Sequence, residues 1–211
     1  MTTSNDPFPS SEFDVWAESY DGDVASQGQF PFDGYEKVLD TVIHSAASAR
    51  GMTILDIGTG TGNLALRFGR YGCEVWCMDF SEDMLAQARQ KLPEAHFVLH
   101  DMRAPWPAEL DRRFDRIVSA YVFHHFELGK KVELCKELTA RRLTPGGKLI
   151  IADLSFPNQR EMEAFAQSVG DLWEQEPYWL ADESLVALTG AGLRPKYFQV
   201  SACAGVYALN A

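Results

Sequence analysis

Short apolar segments alternate with amphipathic helical segments from Met52 onward, and this alternation limits the folds open to the chain. Such alternation builds an open, mostly parallel sheet that is covered by helices on both faces. Helical segments with a 3.6-residue apolar period lie between the apolar runs, and Ser81 is placed to cap the second of them. The apolar runs are MTILDIG (52–58), EVWCMDF (74–80), HFVLHD (96–101), FDRIVSAYVF (114–123) and KLIIADL (148–154).

Two further strand-like runs, residues 194–202 and 204–210, close the chain. They are joined by too few residues for a parallel crossover, so they should pair antiparallel. Together these segments predict an α/β fold with an open, mostly parallel seven-stranded sheet, helices on both faces and an antiparallel last strand. The segment from Thr144 to Gly147 predicts a turn before the fifth strand, and helices are expected at 159–173 and 182–191.

The N-terminal region has a different pattern from the rest of the chain. Residues 1–11 are rich in Pro, Ser and Asn and are predicted to be disordered. Two amphipathic helices follow, one over 12–21 and one within 30–49, and we expect them to cap the ligand edge of the sheet. We predict one domain in all, with a start and cap over 1–50, a core over 51–211 and a substrate-cap insert near 155–182.

The composition excludes several classes of function. The formal net charge of the 211 residues is −11, which argues against binding to a nucleic-acid backbone. No apolar run is long enough to span a membrane, and the polar, acidic start does not look like a signal peptide. The four cysteines lack the paired spacing of a zinc site, so they are expected to be reduced thiols in a cytoplasmic protein.

A glycine-rich loop follows the first strand, with glycines at Gly58, Gly60 and Gly62. In open α/β sheets the ligand binds beyond the carboxyl ends of the strands, where this loop lies. Glycine permits close backbone approach, so the loop predicts a ligand against the main chain. A phosphate-binding P-loop would need a lysine that is absent, and the dinucleotide pattern would need a third glycine where Asn63 stands.

The stretch ILDIGTGTGNLA resembles motif I of the class I S-adenosylmethionine-dependent methyltransferases. Asp79 ends the second strand, where the family's acid binds both ribose hydroxyls, and a carboxylate can accept from two such donors. Asp101 ends the third strand, where the family's acid meets the adenine amino group. The segments FDRIVSAYVFHH and LTPGGKLIIAD are similar to later family motifs, and the resemblance covers roughly residues 50–211.

The resemblance implies S-adenosylmethionine as cofactor and S-adenosylhomocysteine as product. Phe80 and Met102 would sandwich the adenine, with core packing as the alternative for each. The opening FDVWAESYD resembles small bacterial members in which a tyrosine reaches the cofactor's carboxylate, which would make Tyr20 a contact rather than a core residue. The implied cofactor contacts are Tyr20, Asp56, Gly58, Thr59, Gly60, Gly62, Asp79, Phe80, Asp101, Met102 and Ser119.

His124 and His125 follow the fourth strand, near the methyl group in the family's layout. Imidazole titrates near neutrality, so either could act as a base or line the acceptor pocket, and Tyr121 could line the same channel. A metal site is not expected, because no carboxylate or third histidine stands at clear ligand spacing and only Asp153 follows the fifth strand. The insert DLWEQEPYWLADE carries three aromatic residues that could close over an apolar or cationic molecule, or could simply pack on the sheet.

We therefore predict an enzyme that transfers a methyl group to a small-molecule acceptor by in-line displacement. Nucleic acid, a membrane span and a bound metal are not expected, and the protein would be a monomer or a homodimer. Three alternatives stay open: a nicotinamide-dinucleotide oxidoreductase, a non-catalytic S-adenosylmethionine-binding module, and a methyltransferase acting on protein. The residues do not define the acceptor atom.

Overall fold

The computed structural model describes residues 9–25 and 30–211. The strands of the described chain are Thr53–Ile57 (β1), Glu74–Asp79 (β2), His96–Leu99 (β3), Phe114–Ala120 (β4), Leu143–Phe156 (β5), Trp179–Leu180 (β6), Lys196–Gln199 (β7) and Ala204–Asn210 (β8). They form one sheet in the order β3-β2-β1-β4-β5-β8-β7, with the two-residue strand β6 attached to β5. Neighbouring strands among β3, β2, β1, β4 and β5 are parallel, whereas β8 is antiparallel to both β5 and β7, as predicted.

Within the described residues, the α-helices are Ser10–Trp16 (α1), Tyr20–Ala25 (α2), Tyr35–Ala46 (α3), Asn63–Arg70 (α4), Glu82–Lys91 (α5), Leu128–Glu137 (α6), Gln159–Val169 (α7) and Ala181–Gly190 (α8). Helices cover both faces of the sheet, because the side chains of successive residues in each central strand point to opposite faces and both faces are buried. In β1, Ile54 packs with α3 and α4, whereas Leu55 and Ile57 belong to the core under α6 and α8.

The N-terminal segment differs from the prediction in two ways. The first helix begins at Ser10, so the expected disorder is wrong for residues 10 and 11, while residues 1–8 lie outside the described part of the chain. The single helix expected over 12–21 is interrupted at residues 17–19, and Tyr20 begins a second short helix. Asp23 accepts hydrogen bonds from Trp16 Nε1 at 2.6 Å and from Ser19 Oγ at 3.1 Å, so side chains brace this break.

The region around β5 also departs from the prediction. The expected turn at residues 144–147 is part of β5, where the register with β4 shifts between Phe114 and Arg116. Gly146 there has a φ of +77°, which an L side chain rarely adopts. The helix expected over 159–173 ends at Val169 and passes into a 3₁₀ turn, and β6 then pairs parallel with the end of β5. None of the helices in the described ranges has both the length and the apolar character needed to cross a membrane.

Candidate active site

The glycines of the loop between β1 and α4 are required by the backbone conformation of the loop itself. Gly58, Gly60 and Gly62 have φ values of +67°, +53° and +86°. A Cβ on Gly58 would lie 2.2 Å from Cγ2 of Val122, and one on Gly62 would lie 3.1 Å from Cβ of Ala88. Gly58 and Gly60 line a cavity, whereas Gly62 is a packing contact between α4 and α5 and is not part of the cavity wall formed by the described residues.

Asp56 lies beneath this loop. It is 1% exposed and accepts a hydrogen bond from Thr59 Oγ1 at 2.8 Å. Burial raises the pKa of Asp56 to about 7, against the opposing effect of the Thr59 hydrogen bond. Neither side chain is among the described residues that line the cavity, so both support the loop from below.

Asp79 stands at the carboxyl end of β2 and lines the cavity. Its two oxygens accept the backbone N–H of Gly60 at 2.8 Å and that of Ser81 at 3.0 Å, which fixes the carboxylate and ties the glycine loop to β2. Burial raises the pKa of Asp79, although those backbone N–H groups act in the opposite direction. Each carboxylate oxygen has two acceptor positions, so capacity remains for donors of a ligand.

The cavity has a volume of about 760 Å³ and lies beyond the carboxyl ends of β1 to β5. One end is lined by the strand-end residues predicted for the cofactor, including Asp101 and Met102 after β3 and Phe80 after β2. Asp101 is held by Arg103, whose Nε lies 2.8 Å from Oδ2 and whose guanidinium lies 5.9 Å from the centre of the Phe80 ring. Tyr20 also lines the cavity, and burial raises its hydroxyl pKa well above the usual value.

Helices α1 and α2 are fastened to the glycine-loop side by carboxylates. Asp14 accepts from Ser81 Oγ at 2.5 Å, and Asp21 accepts from Thr61 Oγ1 at 2.6 Å. Asp21 also forms an ion pair with Lys91 at 2.6 Å. Phe13 of α1 packs edge-on against Phe80 at 5.0 Å between ring centres, so the two helices form one wall of the cavity.

Ser119 and Tyr121, at the end of β4, have different surroundings. Ser119 is fully buried and donates its hydroxyl to the carbonyl of Ile57 at 2.8 Å, and it is not part of the described cavity lining. Tyr121 does line the cavity, and its φ of +59° is in the left-handed region that a non-glycine residue seldom adopts. Its hydroxyl is buried and has no hydrogen-bond partner among the described residues.

The two histidines follow Tyr121 on a 3₁₀ turn, Phe123–His125, and both line the far end of the cavity. His124 Nδ1 lies 2.5 Å from Oδ1 of Asp153, and Asp153 also accepts from Trp179 Nε1 at 3.1 Å. Burial opposes the charged form of His124, but the neighbouring Asp153 outweighs it, so the pKa of His124 is raised. Burial would raise the pKa of Asp153, and the charge of His124 lowers it instead.

Glu176 is the site residue that the sequence reasoning missed. It lies in the segment between α7 and β6 and lines the cavity, with Oε2 3.5 Å from His124 Nε2 and 3.2 Å from His125 Nδ1. Burial tends to raise the pKa of Glu176, but the two histidines outweigh that and lower it. The sequence shows no carboxylate at clear ligand spacing from the histidine pair, and the fold brings Glu176 to it from a distant segment. Glu176 is about fifty residues from the pair along the chain, so no local spacing could reveal it.

The three aromatic residues of the insert have separate positions. Trp179 is fully buried and stacks on Tyr207 with 4.6 Å between ring centres. Trp173 stacks on Phe30 at 5.5 Å, outside the cavity lining given by the described residues. Tyr178, by contrast, lines the cavity beside Phe30. Both tryptophans are therefore packing residues, and of the three aromatic residues only Tyr178 is part of the cavity wall given by the described residues.

Solved structures with the same fold include two that cover nearly the whole chain. The [4+2]-cyclase SpnF has a TM-score of 0.72 at 18% identity, covering 95% of this chain and 94% of that one. A DhpI–SAH complex has a TM-score of 0.68 at 18% identity, covering 95% and 93%. At this identity the likeness shows the fold alone, which is that of the class I methyltransferases.

Sequence comparison then identifies the family. The family model described as a methyltransferase domain matches residues 54–147. An uncharacterized methyltransferase of Geobacillus kaustophilus is 34% identical over 176 residues, covering 81% of this chain and 77% of that protein. The chain belongs to the class I S-adenosylmethionine-dependent methyltransferases. The predicted fold and family are thereby confirmed, with S-adenosylmethionine as the family's cofactor.

Proposed function

We propose that this protein transfers a methyl group from S-adenosylmethionine to a small-molecule acceptor with an apolar body and one nucleophilic group. The observation that carries this proposal is a cavity that joins two chemically different ends. One end offers Asp79, Asp101 and the glycine loop, and the other offers His125 and Glu176 among apolar side chains. A cavity of about 760 Å³ is within the range of about 300–1,000 Å³ typical of ligand sites.

The residues at the first end fit the proposed cofactor. Asp79 and Asp101 can accept hydrogen bonds from ribose hydroxyls and from an adenine amino group. Phe80 and Met102 supply apolar faces for the ring. Gly60 lets a ligand approach the backbone, because a Cβ there would meet no described atom nearer than Met84 Sδ at 4.0 Å.

Bound S-adenosylmethionine would supply an electrophilic methyl group on a sulfonium centre. The protein's own contribution is then to hold an acceptor atom in line with that centre and to keep water out. Phe13 of α1 contributes to exclusion, because its ring lies between Phe80, at 5.0 Å, and His125, at 6.1 Å between centres. Where the acceptor carries a proton, His125 and Glu176 are the groups placed to receive it, while Asp153 orients His124.

Three observations support a small acceptor over a macromolecule. The net charge of −11 disfavours RNA and DNA. The acceptor end is lined by residues of α1 and of the segment that carries Leu172 and Glu176, and a cavity of this volume suits a small molecule. Its walls are largely apolar, with Phe30, Phe126 and Leu154 facing the same space, which suits an acceptor with a hydrophobic body.

All four cysteines are free thiols, which supports the expected reducing cytoplasm.

The test begins with calorimetric titration of the purified protein with S-adenosylmethionine, S-adenosylhomocysteine and NAD in parallel. We expect micromolar binding of the first two and none of NAD. Asp101→Ala should weaken S-adenosylmethionine binding by about 5- to 30-fold, the loss of roughly 1–2 kcal/mol from one hydrogen bond to a charged group. Glu94→Ala is the matched control, because it removes an exposed carboxylate with no place in the cavity.

Turnover is tested separately by release of S-adenosylhomocysteine with a panel of small hydroxyl, amine, thiol and carbon acids that carry apolar groups. Turnover of such an acceptor, with none on peptides or RNA, is the expected result. Tight cofactor binding without turnover on any acceptor would instead favour a non-catalytic binding module. Binding of NAD alone would overturn the cofactor assignment.

A further inference from the structure

We propose that His124, His125 and Glu176 bind one divalent metal ion of the zinc type at the acceptor end of the cavity. The three side chains come from two separate elements, the 3₁₀ turn after β4 and the segment before β6. Their ligand atoms all lie within 4.8 Å of one another. Two imidazoles and one carboxylate are a ligand set that catalytic zinc sites use, with the fourth position left open.

The distances agree with a shared ion. With metal–ligand bonds of about 2.1 Å in a tetrahedron, neighbouring ligand atoms stand about 3.4 Å apart. Glu176 Oε2 lies 3.5 Å from Nε2 of His124 and 3.2 Å from Nδ1 of His125. The same oxygen therefore faces a nitrogen of each imidazole, at the spacing that three ligands of one ion would have.

The surroundings of His124 provide the outer support that metal-bound histidines usually have. Its Nδ1 is 2.5 Å from Asp153, which leaves Nε2 as the atom directed to the cluster. Asp153 is itself fixed by Trp179 Nε1 at 3.1 Å and by the backbone N–H of Leu154 at 2.8 Å. A carboxylate that holds the second nitrogen of a histidine sets its tautomer and orientation for metal binding.

The position of the cluster suggests what the ion would bind. All three ligands line the cavity, so an open coordination position would face the acceptor. A hydroxyl or thiol of an acceptor could bind there as its O–H or S–H bond breaks, because a bound cation lowers the pKa of such groups. With the ion bound, His125 and Glu176 act as ligands instead of proton acceptors, and the proton is released to solvent. This last step rests on the proposed methyl transfer, whereas metal binding itself does not.

The experiment measures metal binding without cofactor or acceptor. Protein treated with a chelator and then freed of it is titrated with Zn²⁺ by calorimetry and with Co²⁺ by visible absorption. We expect one ion per chain and an intense, tetrahedral-type Co²⁺ spectrum. Glu176→Gln should weaken binding by at least about tenfold. Glu74→Gln is the control, because Glu74 pairs with His96 at 3.6 Å on the surface, away from the cavity.

A second variant, His125→Gln, guards against a folding defect in the first, and it should weaken Zn²⁺ binding similarly. Binding of S-adenosylhomocysteine by each variant shows that the cofactor end is still folded. Equal Zn²⁺ affinity in the native protein and both variants would overturn the proposal, as would the absence of any ion bound more tightly than millimolar. Neither result would affect cofactor binding or turnover in the presence of a chelator, so failure here is distinct from failure of the proposed methyl transfer.

Discussion

Replacing Gly58 by alanine should destabilise the fold through two separable effects. The φ of +67° would place an L side chain in the left-handed region, which costs about 1–2 kcal/mol. The new Cβ would also lie 2.2 Å from Cγ2 of Val122, far inside contact distance, and such overpacking typically costs about 1–3 kcal/mol. The expected loss in the free energy of unfolding is therefore about 2–5 kcal/mol.

Urea unfolding of three variants separates the two effects. Gly60→Ala is the matched control, because its φ is +53° but the nearest described atom to a Cβ is Met84 Sδ at 4.0 Å, so only the strain of about 1–2 kcal/mol is expected. In the double variant Gly58→Ala/Val122→Ala, removal of the Val122 methyl groups should recover about 1–3 kcal/mol in the double-mutant cycle. Equal unfolding free energies for the two single variants, or additive effects in the cycle, would refute the clash with Val122.

Two further predictions concern the support of the loop and the cap. The pKa of Asp56 is about 7 in the folded protein and near 3.8 in the unfolded chain. Between about pH 4 and pH 7 the folded state therefore binds more protons at this group than the unfolded chain does. The contribution of Asp56 to the free energy of unfolding is fully present below about pH 4 and is lost as the pH rises through 7. Chemical denaturation of the native protein and of Asp56→Asn across this range isolates this contribution: from pH 4 to above pH 7 the native protein should lose up to about 4 kcal/mol of unfolding free energy relative to the variant. Asp21→Ala should weaken S-adenosylmethionine binding about tenfold in calorimetry, because it removes the ion pair with Lys91 and the hydrogen bonds from Thr61 and Asn63 that fasten α2. Unchanged affinity in that variant would mean that the cap does not contribute to holding the cofactor.

The sheet and its strand ends could be predicted because their signals are local. Apolar runs bounded by glycine loops define the parallel strands, and an acid that ends a strand is carried to the ligand edge by topology alone. Asp79 and Asp101 therefore line the cavity as the strand pattern implies. Ser119 shows the limit of that reasoning. Successive side chains of a strand point to opposite faces, so a position near the strand end does not by itself direct a side chain to the cavity. The hydroxyl of Ser119 instead donates a hydrogen bond to the carbonyl of Ile57 on the neighbouring strand.

The remaining differences come from tertiary contacts that no local pattern carries. The break after Trp16 is braced by Asp23, whereas the apolar spacing alone favoured one continuous helix. The insert was expected to be helical near its start, yet its later part runs extended and adds β6 to the end of β5. That extended run also brings Glu176 to the histidine pair, at the end of the cavity proposed for the acceptor.

Helix α1 contacts residues at both ends of the cavity. Asp14 on that helix is bonded to Ser81 at the start of α5, next to the carboxylate of Asp79, while Phe13 contacts both Phe80 and His125. Helix α1 therefore forms part of the wall at both the proposed cofactor end and the proposed acceptor end of the cavity. Exclusion of water strengthens electrostatic interactions, so the packing of Phe13 is expected to strengthen those of the nearby carboxylates and of the histidine–glutamate cluster. The long-range contact made by Glu176 and the ring contact made by Phe13 both fall on His125.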